Sequence, residues 1–233
     1  MATPRFALIK DHIVHQIAQG DLAPGDRVPS ENQLVSQFQV SRMTARRALH
    51  ELADAGVLVR TQGLGSFVAD RRPISSLVEI RNIAEEIQSR GHHYSCQVLA
   101  LSADPADPQQ AAWLGLDSAA TLYQSTIVHS ENRRPLQYEQ RYINPAFAPE
   151  YLEQDFTQLT PNAYLSQVAP LTEADHVVEA VCAPAAIARH LDMDAQAPCL
   201  KVSRRTWSQR GVVSFAYLYH PGGRYRLGDH LNF

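Results

Sequence analysis

The fold is decided by residues 29–68, which read PSENQLVSQFQVSRMTARRALHELADAGVLVRTQGLGSFV. Ser30 is followed three positions later by Gln33, which predicts a capping box at the start of one helix. Ser41 predicts the N-terminal cap of a second helix that begins a short turn later. Two helices joined in this way are typical of a helix-turn-helix, so the stretch predicts a DNA-binding element.

The second helix of this element has two distinct faces. Apolar residues at helical spacing predict its buried stripe, namely Ala45, Ala48, Leu49 and Leu52. The opposite face is cationic and contains Arg42, Met43, Arg46, Arg47 and His50. The guanidinium fork of arginine binds a phosphate or the O6 and N7 atoms of guanine, and Thr44 offers a hydroxyl. An amphipathic helix with a merely solvated arginine face is the alternative interpretation.

A short hairpin is predicted after the second helix. Residues 57–60 and 66–69 have the composition of two strands, and Gly63 and Gly65 flank Leu64 in the turn between them. Because glycine has no side chain, the tip of this hairpin can approach nucleic acid closely. The order of cap, turn, arginine face and glycine-containing hairpin favours DNA binding over the solvated-helix alternative.

These segments resemble the winged helix-turn-helix of the GntR family of bacterial transcription regulators. The family's Pro-Ser-Glu-x-x-Leu, Val-Ser-Arg-x-Thr-x-Arg-x-Ala-Leu and Gln-Gly-x-Gly-(Ser/Thr)-Phe-Val patterns correspond to residues 29–34, 40–49 and 62–68. The resemblance implies that Arg42, Thr44 and Arg46 contact bases and backbone in the major groove, and that residues 63–65 lie in the minor groove.

The residues predicted to contact DNA come from both helices and from the hairpin. Met43 stands where many members of the family carry Thr, and Asn32 stands where Arg is frequent. The resemblance therefore leaves the operator bases at these two positions open. The predicted set is Ser30, Glu31, Ser41, Arg42, Met43, Thr44, Arg46, Arg47, Gln62, Gly63, Leu64 and Gly65.

Length and charge predict two domains with different partners. The chain has 233 residues, and a DNA-binding domain of about 70 residues leaves a remainder large enough for its own core. Residues 1–72 hold nine Arg or Lys against seven Asp or Glu, whereas residues 73–233 hold twelve against seventeen. Only the first part has an excess of positive charge suited to phosphates. We predict an α+β protein with a winged helix-turn-helix over residues 1–70, a polar linker over 71–76 and an effector-binding domain over 77–233.

Several classes of function are disfavoured by the sequence. Cys96, Cys182 and Cys199 are far apart and lack a Cys-x-x-Cys pair, which argues against a disulfide framework or a zinc site and predicts buried thiols. No apolar run is long enough to span a bilayer, and the N-terminus lacks a secretion signal, so we expect a cytoplasmic protein. No common catalytic or nucleotide-binding motif is present, so we expect neither an enzyme nor a bound cofactor or metal.

Beyond the linker, the sequence predicts strands joined by hairpins. Residues 121–130 are expected to pair with 136–144, and residues 200–208 with 212–219. Few long helices are predicted, which favours an antiparallel α+β sheet over a doubly wound one.

Residues 77–230 resemble the UTRA effector domain, which is similar in fold to chorismate lyase and follows the GntR domain in the HutC subfamily. The resemblance rests on the segments QSRG (88–91), YEQRY (138–142) and RYRL (224–227). It implies a small-molecule effector and a homodimer that binds a palindromic operator.

More narrowly, short segments resemble the members of this subfamily that control histidine utilisation; they are residues 144–145, 154–157, 160–161, 170–173, 178–180, 204–208 and 220–222. This resemblance implies repression of the histidine-degradation genes, relieved by urocanate. A regulator of the same family that responds to another small molecule, such as a phosphosugar, is the main alternative. A chorismate-lyase-like enzyme is the alternative of another class, although fold alone does not carry activity.

Urocanate is a flat imidazole joined to a carboxylate, so its site needs a cation or free amides at one end and imidazole partners at the other. A period of two places Gln137, Glu139, Arg141 and Ile143 on one face of a predicted strand. The N-terminus of the helix expected to begin at Ile83 offers backbone amides to an anion.

The predicted effector site combines two sources. The UTRA resemblance implies Asn82, Ile83, Arg141, Tyr164 and Tyr225, and the chemistry of the ligand adds Arg81, Glu139, Tyr219 and His220. Two alternatives stay open: Glu139 and Arg141 pair with each other across a solvated sheet face, and Tyr164 and Tyr219 are core aromatics.

Overall fold

The computed structural model describes residues 4–61, 64–70, 72, 74–76 and 79–228. Contacts divide the chain into two compact units, Met1–Arg71 and Arg72–Phe233, which we call the N-terminal unit and the C-terminal unit. Each unit has its own hydrophobic core.

The N-terminal unit is a three-helix domain with a short hairpin. Its elements are α1 (Arg5–Gln19), α2 (Glu31–Phe38), α3 (Arg42–Asp54), β1 (Leu58–Thr61) and β2 (Gly65–Val68). β1 and β2 pair antiparallel, with Leu58 opposite Val68. This order confirms the predicted winged helix-turn-helix.

The helix starts lie where the sequence predicts them. The Ser30 hydroxyl accepts the backbone N–H of Gln33, and the Gln33 side chain accepts the backbone N–H of Ser30 at 2.8 Å, which completes the capping box. The Ser41 hydroxyl accepts the backbone N–H of Thr44 at 3.2 Å and caps α3. The predicted stripe of α3 is buried and packs with Ile9, Ile13 and Leu34 in the core.

The C-terminal unit is built on a six-stranded antiparallel sheet. In spatial order the strands are β4 (Tyr94–Pro105), β5 (Thr121–Glu131), β6 (Arg134–Ile143), β9 (Gly211–Pro221), β8 (Pro198–Ser208) and β7 (Glu173–Cys182). The helices are α4 (Ile83–Ser89), α5 (Pro108–Leu114), α6 (Pro161–Val168) and α7 (Ala185–His190), with a 3₁₀ turn at Tyr151–Glu153. The predicted α+β class and both predicted hairpins are confirmed.

The first hairpin is tighter than the sequence suggests. Its strands extend to Glu131 and Arg134, and only Asn132 and Arg133 form the turn. Both turn residues have positive φ, at 50° and 66°. Two left-handed residues form the turn that matches the twist of paired strands, so the hairpin closes with a two-residue loop.

Two elements were not predicted from the sequence. Helix α6 begins after Thr160, whose hydroxyl accepts the backbone N–H of Ala163 at 3.1 Å. Within the expected linker, β3 (Ile74–Ser75) pairs in parallel with β10 (Arg226–Leu227) near the end of the chain. The second half of the expected linker is therefore part of the C-terminal unit rather than a free connection.

The prediction of buried, unpaired cysteines is only partly confirmed. All three are free thiols, and Cys199 is buried, but Cys182 is exposed because it ends the edge strand β7. Within the described ranges, no three His, Cys, Asp or Glu side chains form a group suited to a metal ion. Among the helices that the structure describes, none combines the length and apolarity needed to cross a membrane.

Candidate DNA-binding surface and effector cavity

The N-terminal unit carries a groove between α2, α3 and the hairpin that is rich in arginine. Four guanidiniums line it, those of Arg27, Arg42, Arg46 and Arg60. The side chains of Arg42 and Arg46 are 69% and 53% exposed. The groove therefore presents several cations beside the N-terminus of α3, as contact with a phosphodiester backbone and base edges requires.

Glu31 lies at the centre of these cations. Its carboxylate accepts from the Nε atoms of Arg42 and Arg46, both at 3.1 Å, and lies 3.5 Å from Nη2 of Arg60. Burial alone would raise the pKa of Glu31, but the hydrogen bonds from Arg42 and Arg46 lower it below its usual value. Glu31 thus stays charged and holds the guanidiniums of Arg42 and Arg46 in place.

The other predicted contacts divide into exposed groups and helix caps. Met43 and Leu64 are exposed, and Thr44 donates to or accepts from the Ser41 hydroxyl at 2.9 Å. Ser30 and Ser41 are occupied as caps. Gln62 and Gly63 lie outside the described residues.

Arg47 differs from its neighbours on α3. Its guanidinium pairs with Glu51 at 2.8 Å and lies 4.0 Å from the ring centroid of Phe6. The structure does not bring it to the arginine-rich groove, where Arg42 and Arg46 lie. Its contacts are those of a residue that joins α3 to α1.

Sequence reasoning missed Arg27 and Arg60. Arg27 forms a bridge to Phe67 of β2, and its side chain lies against Gly65, where an added Cβ would stand 3.0 Å from Nε. Gly65 also has a φ of 119°, a conformation that favours glycine. Arg60 is an exposed residue of the predicted strand β1 and could have been included from the sequence, whereas the approach of Arg27 required the folded hairpin.

The C-terminal unit contains a cavity over one face of the sheet. It is bounded by β6, β9, β8 and β7 below, by α4 and β3 on one side and by the start of α6. The cavity has a volume of about 590 Å³ with its open mouth included, and little of this space is wide enough for a water molecule. The cavity is therefore a narrow slot.

Glu139 and Arg141 form an ion pair at the floor of this cavity. Arg141 Nε donates to Glu139 Oε1 at 2.7 Å, and Arg141 Nη1 donates to the Ser214 hydroxyl at 3.1 Å. His129 Nε2 lies 3.7 Å from the same carboxylate. The residues are 3% and 2% exposed, so the alternative of a pair on a solvated face does not hold.

Electrostatics keep this pair ionised. Burial would raise the pKa of Glu139, but the positive charge of Arg141 and the hydrogen bond that it donates, together with the nearby His129, hold the pKa far below its usual range. The cavity floor thus has a fixed carboxylate next to a fixed guanidinium.

His220 and Tyr225 stack at the side of the cavity. Their ring centroids are 3.9 Å apart and the planes differ by 11°. Burial, followed by the positive charge of Arg204, lowers the pKa of His220 to about 3. The imidazole is therefore neutral at physiological pH and offers a lone pair or an N–H without a charge.

The start of α4 contributes fewer groups to the cavity than the sequence predicts. Ile83 and Arg81 line the cavity, and Arg81 pairs with Glu79 at 2.7 Å. Asn82 caps the helix by accepting the backbone N–H of Ala84 at 3.0 Å and does not line the cavity. The Ala84 amide, one of those that the helix start would offer to an anion, is thus already used.

Two predicted tyrosines are not brought to the cavity. Tyr164 packs in the core beside Tyr151 and Phe156, and Tyr219 lies edge-on to Tyr138 among residues of another core cluster. Tyr219 neighbours His220 on β9, and alternation along a strand sends the two side chains to opposite faces. Both tyrosines occupy the core positions that the alternative interpretation gave them.

Sequence reasoning missed Arg204 on β8. It lines the cavity, and its Nε is buried without a hydrogen bond among the described residues. Period-two alternation on β8 was visible in the sequence, but the pairing of β8 with β9 that aligns Arg204 with the Arg141 row was not.

Comparison with known proteins decides the family. Residues 7–68 match the bacterial regulatory proteins of the gntR family, and residues 89–226 match the UTRA domain. The chain belongs to the GntR family of transcription regulators. Its combination of domains assigns it to the HutC subfamily, whose members are regulators and not enzymes.

Individual proteins that resemble this GntR regulator support the same assignment. It is 51% identical to a histidine utilization repressor of Pseudomonas aeruginosa over 224 residues, which cover 96% of this chain and 90% of the relative. The C-terminal domain of a histidine utilization repressor from Pseudomonas syringae has 47% identity and a TM-score of 0.59, covering 60% of this chain and all of that domain. PhnF from Mycobacterium smegmatis, at 22% identity, shares the fold over 95% of this chain and 98% of its own, with a TM-score of 0.68.

Proposed function

We propose that this regulator represses genes for histidine utilisation and is released from its operator by urocanate. It acts as a homodimer on a palindromic site, in the cytoplasm where its DNA lies. The N-terminal unit supplies the contacts with DNA, and the cavity of the C-terminal unit binds the effector.

One observation carries the effector assignment. Three residues that line the cavity each have a buried polar atom without a hydrogen-bond partner among the described residues: Arg141 Nη2, Arg204 Nε and His220 Nδ1. Buried polar atoms in folded proteins are nearly always paired, because an unpaired one costs about 1–3 kcal/mol. The three residues line one cavity, so a polar ligand whose groups reach these atoms removes the cost.

The chemistry of urocanate fits this set. Its carboxylate is a partner for a guanidinium, and its imidazole N–H and lone pair suit the Glu139 carboxylate and the neutral His220 ring. Its flat conjugated skeleton suits a narrow slot. A phosphosugar is thicker and carries a dianion, for which a floor containing a buried carboxylate is less suitable.

The cavity wall also includes the segment that follows the DNA-binding unit. Ser75 and Ser76 line the cavity, and the Ser75 hydroxyl donates to Glu86 at 2.8 Å. These serines stand only a few positions after Arg71, where the N-terminal unit ends. A ligand that contacts this wall therefore acts on the chain that connects effector cavity and DNA-binding unit.

A gel-shift experiment tests the proposal. The full chain is incubated with the promoter of a histidine-degradation operon, without effector and with urocanate, histidine or glucosamine 6-phosphate. We expect a shifted band that only urocanate abolishes. Release by the phosphosugar instead would assign another effector, and the absence of a shifted band at modest ionic strength would reject the operator.

A further inference from the structure

The described residues that line the effector cavity include three arginines and three glutamates, and one of the arginines, Arg204, stands outside the ion pairs. The acidic residues that line it are already paired: Glu79 with Arg81, Glu86 with Arg90 and Glu139 with Arg141, each at 2.7 Å. Among the described residues that line the cavity, Arg204 is the guanidinium that these pairs leave without a carboxylate.

The surroundings of Arg204 make this charge costly. Its Nε is buried without a hydrogen bond, and no ion pair of its side chain is formed with the described residues. Burial first, and then the positive charge of Arg141, lower the pKa of Arg204 to about 10. The group remains protonated at neutral pH, so the unliganded protein holds a poorly solvated cation.

The sheet register shows where this cation stands. Arg141 on β6 and Arg204 on β8 both pair with Ala216 of the intervening strand β9, so the three residues form one row on the cavity side. From the usual strand spacing, the Cα atoms of the two arginines are about 10 Å apart. Ala216, the residue between the two arginines in this row, has only a methyl side chain, which is fully buried with Val202 and Leu218.

Arg141 and Arg204 differ in what they already bind. Arg141 uses Nε for Glu139 and Nη1 for Ser214, and its charge is neutralised within the floor of the cavity. The charge of Arg204 is not neutralised in this way. A carboxylate placed at Arg204 would pair with a guanidinium that has no ion-pair partner among the described residues, whereas one placed at Arg141 would meet a guanidinium already bound to Glu139.

We propose that Arg204 is the anion-binding residue of the cavity and receives the carboxylate of the effector, while Arg141 positions Glu139 for the imidazole end. The inference rests on the proposed function for the identity of the ligand, but the unneutralised charge at Arg204 does not depend on it. The ligand class is a flat heterocycle with one carboxylate.

Calorimetry with two ligands tests the charge assignment. Urocanate is compared with its amide, which keeps the ring and the chain but has no negative charge. In Arg204→Gln, we expect urocanate to bind roughly 10- to 100-fold more weakly, because a hydrogen-bonded charge pair is lost. Binding of the amide should change little. The proposal would be overturned if the variant bound both ligands more weakly by the same factor, or if it bound urocanate as tightly as wild type does.

Two further variants serve as controls. Arg205→Gln makes the same chemical change one position along β8, where the guanidinium lies over Trp207, and should leave both affinities unchanged. Arg204→Lys keeps the charge but not the fork, and its affinity for urocanate should lie between wild type and Arg204→Gln. A lysine variant that binds no better than the glutamine variant would contradict a role for charge.

Thermal unfolding without ligand separates this inference from the proposed function. Removal of an unpaired cation should leave the melting temperature of Arg204→Gln equal to or above that of wild type. A lower melting temperature would show that Arg204 has a structural partner and would overturn the inference. If wild type binds no urocanate, the proposed function fails, and an unchanged or raised melting temperature still supports an anion site for a different effector.

Discussion

Glu31 and Arg46 are joined by a hydrogen bond of 3.1 Å between Oε1 and Nε, although fifteen positions separate them in sequence. The bond connects the first residue of α2 to the exposed face of α3, and the same carboxylate binds Arg42. The arginines proposed to contact DNA are therefore held in place in the free protein, which would reduce the entropy lost on binding.

The two adjacent arginines of α3 should behave differently. Arg46→Ala is expected to weaken operator binding by about 1–3 kcal/mol if a base contact is lost. Arg47→Ala should affect the operator less, because its guanidinium pairs with Glu51 and lies over Phe6. Fluorescence anisotropy with labelled operator at several salt concentrations measures both. Equal losses for the two variants would place Arg47 in the interface as well.

Glu31→Gln should lower specificity rather than affinity. Loss of the carboxylate frees Arg42, Arg46 and Arg60 and removes a charge that repels phosphates. We expect nonspecific DNA to bind more tightly, the ratio of operator to nonspecific affinity to fall, and the salt dependence to steepen. Competition with random duplex DNA measures the ratio. A ratio equal to that of wild type would show that Glu31 does not orient the arginines.

The buried pair in the cavity floor should contribute much more to stability than an exposed one. Glu139→Gln leaves the buried Arg141 charge uncompensated, and we expect the free energy of unfolding to fall by about 3–5 kcal/mol. Glu179→Gln is the matched control, because it breaks an exposed pair with Lys201 and should cost at most about 1 kcal/mol. Urea unfolding of the C-terminal unit measures both, and similar losses would contradict the burial argument.

His220 should make the protein less stable as the pH falls. Its pKa is lowered to about 3 in the folded state, so an unfolded chain with an ordinary histidine pKa binds the proton first. Stability is therefore complete above the unfolded pKa and is lost as the pH falls towards the folded pKa. Between pH 6.5 and 5, wild type should lose roughly 1.5 kcal/mol more than His220→Gln.

Urea unfolding of wild type and His220→Gln at several pH values measures this difference. The window stops at pH 5 because carboxylates with lowered pKa, such as Glu139, begin to contribute at more acidic pH. Arg204, His129 and Glu139 surround the ring and are present in both proteins. Parallel pH profiles would show that His220 is solvated in the folded state.

Local signals in the sequence were sufficient for the DNA-binding unit. The caps at Ser30 and Ser41 and the apolar stripe of α3 depend on residues within a few positions of each other. The network around Glu31 was not predicted, because it joins α2, α3 and β1, and its geometry exists only after these elements pack.

The effector cavity was harder to predict for the same reason. Alternation along β6 correctly grouped Glu139 with Arg141, since that pattern is local. Arg204 lies in the same row as Arg141 only because β6, β9 and β8 pair side by side, and the register of that pairing is set by the whole sheet. Tyr164 was drawn from resemblance alone, and the unpredicted helix α6 places it in the core.

In the proposed function, effector and operator compete for one protein, and this competition has a reciprocal consequence. A ligand that weakens operator binding must itself be bound more weakly by the operator complex, by the same factor. Isothermal titration of urocanate into the free regulator and into the regulator saturated with operator tests this directly. We predict that the complex binds urocanate with an affinity at least about fivefold lower, the lower end of typical coupling; equal affinities would contradict release of the operator by urocanate.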